Sequence, residues 1–264
     1  MASGCIFCGN TPTTAEHLIP VWAGDVLART KPPPSGPDKV IRAHHKRWSE
    51  GAEEDVRQEW FRKKDAPEFV VKCVCAECNG GWMSDIESAA QPILTPMIED
   101  QRVTLDTGDQ EKVAKWLGLK AIVAQHALPP GQTVPEWTNA FAIERSPPTS
   151  WQIRIARYQG TDPMFLGNTG LDTTVIHTLV PFTMKRPGFL FTAQLGHFVG
   201  QVLGMRQQAW IMPVRRFVQV WPHPLLRTSS PAVAHIVSVT WPPECGLDDS
   251  DLKKCAHDPV EPKG

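Results

Sequence analysis

The chain has a single tyrosine, almost no net charge and no apolar run long enough to cross a bilayer. A membrane-spanning helix needs about 18 or more continuous apolar residues, so none is expected. Met1 to Cys8 lack a basic stretch followed by an apolar one, so no secretory leader is expected. A formal net charge of −1 excludes a polycation, and any grip on nucleic acid has to come from a local basic face. Hydrophobic residues at 41% and charged residues at 21% exclude disorder, collagen and coiled coil. No internal repeat is visible. The lone tyrosine is offset by ten tryptophans, and 25 prolines predict short elements and many turns. At 264 residues the chain is near the size at which one core divides into two.

Seven cysteines are an odd number, and without a secretory context they argue against a disulfide framework. A reducing, cytoplasmic setting is the expectation, with cysteines that are buried, reactive or bound to metal. Two pairs stand out, Cys5-x2-Cys8 and Cys75-x2-Cys78. This spacing lets two thiolates bind one ion from a tight turn, and two such pairs make the tetrahedral soft set of structural zinc. The alternative is four buried, unligated thiols. Cys73 lies only two positions before Cys75, so Cys78 makes the better turn and Cys73 is set aside. Cys245 and Cys255 are isolated.

Composition predicts an α+β fold in four parts. Residues 1–104 hold both cysteine pairs, with a turn-rich break at "KPPPSGPD" and a charged stretch containing Trp48 and Trp60. Ser84 and Glu87 fit the S-x-x-E box that opens a helix, which Pro92 and Pro96 should bend or break. Residues 105–130 form a connecting helix, capped by Asp109, with Val113, Trp116, Leu117, Ala121 and Ala124 at helical spacing. Residues 131–243 read as an antiparallel β-rich domain, from "NAFAIER" through "WQIRIARY" to "AVAHIVSVTW". The alternation in "WQIRIARY" predicts one buried and one wet face. Residues 244–264 read as an acidic tail.

Charge follows the same partition. Between Arg145 and Arg227 nine Lys/Arg face two Asp/Glu, whereas residues 1–90 carry eleven against thirteen. The β-rich part is therefore the expected polyanion anchor, with Arg154, Arg206 and Arg216 as candidates. The plain alternative is a β-domain whose arginines are solvated.

Between the cysteine pairs lies Glu16-His17-Leu18-Ile19-Pro20-Val21-Trp22, and the second pair runs on as Cys75-Ala76-Glu77-Cys78-Asn79-Gly80-Gly81-Trp82-Met83-Ser84. These motifs, within residues 5–90, resemble the HNH family of ββα-metal nucleases. They are most like uncharacterised bacterial and phage members with E-H-x-I-P-x-W and C-x2-C-N-x-G-W-M-S. The resemblance implies a metal-dependent endonuclease that hydrolyses phosphodiesters of nucleic acid, DNA ahead of RNA. It implies His17 as general base, with Glu16 and Asn79 holding a catalytic divalent ion. Oxygen ligands favour magnesium or manganese there, while the four cysteines keep a structural zinc. Imidazole titrates near neutrality and suits the base. The family's middle Asn has no counterpart in "APEFVVKC", and Met83 stands where many members place a second ligand. Asp85 is the conceivable substitute.

Those departures favour a second reading, a zinc-stapled nucleic-acid-binding module without catalysis. A third, a protein-interaction scaffold, draws on the near-zero charge. Each residue also has a structural reading: His17 bonded within a hairpin, Glu16 as a surface acid, Asn79 as a cap. Trp22 and Trp82 are expected as core staples, and His44 and His45 as solvated.

Overall fold

A computed structural model describes residues 4–30, 40–49, 52–61, 70–127, 135–162, 164–176, 183–205, 217–221, 238–243 and 246–255. Helix and sheet are mixed. The first strand, β1 (Thr13–His17), pairs antiparallel with β4 (Val70–Cys75). Between them come helix α1 (Val21–Thr30) and a hairpin of β2 (Val40–Ser49) and β3 (Ala52–Phe61). After β4 the chain coils at once, through α2 (Ala76–Cys78) and a π-helical turn (Asn79–Met83) into α3 (Ser84–Ile98). Because the helix is already running at Ser84, that residue caps nothing, and Glu87 is free for another partner. Pro92 and Pro96 lie inside α3 without ending it. Its buried residues Ile86, Ala90, Ile93, Leu94 and Met97 recur at three- and four-residue steps, and this face holds the helix through both prolines.

Strand β5 (Val103–Leu105) leads to α4 (Thr107–Ala127). Its cap is Asp106 rather than Asp109: Asp106 Oδ1 accepts from the Asp109 amide at 2.8 Å, satisfying one of the first-turn donors. The expected stripe on α4 is buried, and so are Ala114, Leu119, Ile122 and Val123 around the rest of the helix. A helix apolar on all sides belongs at a core's centre, and α4 touches α3, β4, β6, β9 and β10.

"NAFAIER", expected as a strand, is part of helix α5 (Pro135–Glu144). Proline suits a first helical position, and Trp137 and Phe141, four apart, bury one face. The large sheet then comprises β6 (Gln152–Tyr158), β7 (Met164–Ile176), β8 (Thr183–Leu195), β9 (Phe198–Met205) and β10 (Val218–Trp221). Its order is β10-β6-β9-β8-β7-β2-β3, antiparallel except where β2 runs parallel to β7. Strand β11 (Val239–Trp241) pairs with β5, and β12 (Gly246–Leu247) lies parallel to β6. Part of the expected acidic tail is folded: α6 (Asp249–Cys255) buries Leu252 and Cys255 beside Tyr158 and Phe217. The β6 strand has no wet face, because the main core covers one side and this smaller cluster the other.

The expected boundaries near residues 104 and 131 do not divide the core. One apolar cluster runs from Cys5 and Phe7 through Met83, Met97 and Trp116 to Phe198 and Trp241. The hairpin between the cysteine pairs also belongs to the large sheet, through β2 and β7.

Candidate metal centre

The first cysteine turn is closed by backbone bonds from the Cys5 amide to the Asn10 carbonyl and from the Gly9 amide to the Cys5 carbonyl. Gly9 has φ +77°, a conformation other residues adopt at a cost. The Ile6 amide reaches the Cys73 carbonyl at 2.9 Å, stitching this turn to β4. The second pair begins where β4 ends. Cys75 caps α2, its sulfur accepting from the Cys78 amide at 3.5 Å.

The four sulfurs of Cys5, Cys8, Cys75 and Cys78 lie within 4.8 Å of one another. Cys8 Sγ is 3.5 Å from Cys75 Sγ and 3.6 Å from Cys78 Sγ. Tetrahedral zinc with Zn–S near 2.3 Å sets its sulfurs about 3.8 Å apart, so the group could hold such an ion. Burial pushes the Cys5 thiol up, but the backbone N–H groups of Cys75, Phe7 and Cys8 outweigh it and bring it down to about 7. Burial raises Cys78 to about 12, opposed by the indole of Trp82. Thiols so close cannot all ionise without a cation among them. Cys73 is buried outside this group and is pushed to about 12 by burial, with the charges of Glu16 and Cys5 acting in the same sense.

Glu16 and His17 occupy consecutive register positions, opposite Val71 and Val70. The β1 irregularity falls before them, between Thr14 and Glu16, so they keep the opposed directions of strand neighbours. Glu16 points inward. Its side chain is 6% exposed and accepts from Lys120 Nζ at 2.7 Å. The same ammonium, 2% exposed, donates to the His17 carbonyl at 2.6 Å and pairs with Glu87. The acid expected as an ion ligand is thus committed to an internal ion pair. His17 is half-buried, and its ring takes no hydrogen bond from the described residues.

Asn79 Nδ2 donates to the Ala15 carbonyl at 3.1 Å and to Thr14 Oγ1 at 3.4 Å, binding the helix start to the irregular part of β1. Met83 is buried in the core and Asp85 is exposed on α3. Among the described residues the thiols are the only group of three or more His, Cys, Asp or Glu placed to share an ion.

Trp22 packs toward Trp116, and Trp82 lies 4.9 Å edge-on from Phe7 with Arg145 4.0 Å over its ring. Both are core staples. His44 and His45 lie on β2, but their side chains are outside the described residues. Arg206 and Arg216 are also outside them. Arg154, expected on a binding face, is 3% exposed, and its Nε and Nη2 have no partner among the described residues. Burial lowers it to about 10, and the Phe217 ring lies 5.9 Å away.

Lys120 was not singled out in the sequence, and Glu87 was read there as half of a capping box rather than as its partner. The available signal was one charged residue within "WLGLKAIVA", a stretch otherwise apolar or glycine. A lysine buried there requires an acid partner. No family model, curated protein or solved structure matches the chain.

Proposed function

We propose that the chain is a zinc-stapled ββα hydrolase of the HNH type, acting on the phosphodiester bonds of nucleic acid, DNA first, with His17 as general base. The observation that carries the reading is the position of His17. It ends the strand that pairs with β4 and is tied to the following helix by Asn79, beside the four-thiol group; the residue is partly exposed, and its ring is unpaired among the described residues. An imidazole so placed can take a proton from an attacking water. Asn79 commits its amide nitrogen to β1, which leaves Oδ1 as the one oxygen for a divalent ion. Magnesium commonly binds through few protein ligands, the rest being water and substrate phosphate. When bound, such an ion supplies positive charge at the scissile phosphate. Glu16 is left out of that site.

The test is plasmid cleavage by the zinc-loaded chain with magnesium or manganese. His17→Ala is expected to lose about 100-fold or more of the rate with zinc content and melting temperature unchanged. Equal cleavage by this variant, or none by the wild type, defeats the proposal. The internal pairing of Glu16 favours a second reading, a nucleic-acid-binding module without catalysis. Retarded migration of DNA without cleavage would select it.

A further inference from the structure

Lys120 joins three parts of the chain that are remote in sequence. Its ammonium donates to the His17 carbonyl on β1 at 2.6 Å and to Glu16 Oε1 at 2.7 Å, and it meets Glu87 on α3. An ammonium has three donors, and three acceptors are in place. The lysine rises from α4, whose residues around it are all core. Such an ammonium has one stable position, because leaving any of its hydrogens unpaired in that surrounding is costly. His17 is the last residue of β1, and the strand pairing with β4 ends there. The carbonyl bond therefore fixes the terminal peptide of the strand, the one that carries the His17 side chain.

We infer that Lys120 is a positioning residue for the base, fixing the main chain that carries the imidazole of His17. This rests on the reading of His17 as general base. Lys120 is itself too buried to touch a substrate, so it acts through the backbone. The nearby acid serves the same end: Glu16 gives the ammonium a buried counter-charge and holds it under the strand. A general base displaced by about 1 Å can lose on the order of 100-fold in rate while substrate binding is untouched.

The experiment measures kcat and KM of the full-length, zinc-loaded chain on a fluorophore–quencher duplex oligonucleotide with magnesium or manganese. Lys120→Met alone would strand the Glu16 charge and endanger folding, so the informative variant is the Glu16→Gln, Lys120→Met double substitution. Its kcat is expected to fall about ten- to 100-fold with KM and zinc content unchanged. Lys120→Arg, which keeps the donors, is expected to regain most of the loss. Unchanged kcat in the double variant overturns the inference. So does a loss that only follows the fraction of folded protein, or one that Lys120→Arg does not repair. A wild type that fails to cleave overturns the hydrolase reading and this inference with it. Wild-type cleavage with an indifferent Lys120 overturns this one alone.

Discussion

Lys120 and Glu16 illustrate how much of a residue's role is set by a partner far along the chain. The pair spans β1 and α4, and both side chains are removed from water. Breaking such a pair from one side leaves an unanswered charge, with a cost of about 3–5 kcal/mol. Thermal denaturation of Lys120→Met should show a loss of that order, and Glu16→Gln a smaller one, because Glu87 still answers the ammonium. The double substitution should lose less than the two single losses added together; additive losses would mean the two groups do not interact. Beside them, Cys73 makes a second prediction. Its folded thiol titrates near 12 against a usual 9, so burial contributes stability below pH 9 that is lost as pH rises toward 12. Cys73→Ala should flatten that alkaline loss at unchanged zinc content, as read by melts from pH 8 to 11. An alkaline loss as steep as the wild type's would mean that Cys73 does not titrate as buried. In the sequence, the acid-His dipeptide was visible as a motif, but the salt bridge was not. The role of Glu16 depends on a lysine more than 100 positions away.

At the scale of elements, the cysteine turns were the most legible feature, because two residues between cysteines fix their geometry locally. Gly4 is part of that geometry: a Cβ there would stand 2.2 Å from the Gly9 carbonyl oxygen. That neighbour is backbone and cannot yield cheaply. Gly4→Ala should therefore reduce zinc retention in a chelator competition; retention equal to the wild type would show that the turn opens without harm. Helices were legible where their apolar spacing was long, as in α4. "NAFAIER" misled because its alternating apolar residues fit a strand as well as a helix, and Trp137 and Pro135, which decide for the helix, lie just before it. "WQIRIARY" also misled. Alternation shows that a strand has two faces, but not that a second layer covers the other one, as α6 does near Tyr158. The same layer buries Arg154, which alternation alone placed on the wet face.

At the scale of the whole molecule, the cysteine group and the large sheet share one core, a property no segment of sequence displays. The β2–β7 pairing joins residues more than 120 positions apart, and a boundary near 104 was inferred from composition only. Since metal binding and folding are linked, zinc is expected to support the whole cooperative unit rather than the first third alone. Removing it with a chelator should lower a single transition seen alike by far-ultraviolet circular dichroism and tryptophan fluorescence. Two separated transitions would instead restore independent domains.

If one zinc ion sits on Cys5, Cys8, Cys75 and Cys78, it joins the turn before β1 to the end of β4 and the helix start that follows. X-ray absorption at the zinc edge of the purified full-length chain tests it most directly. One zinc per chain with four sulfur neighbours at about 2.3 Å is expected. A first shell containing nitrogen or oxygen, or a chain that takes up no zinc when it is supplied, would contradict it.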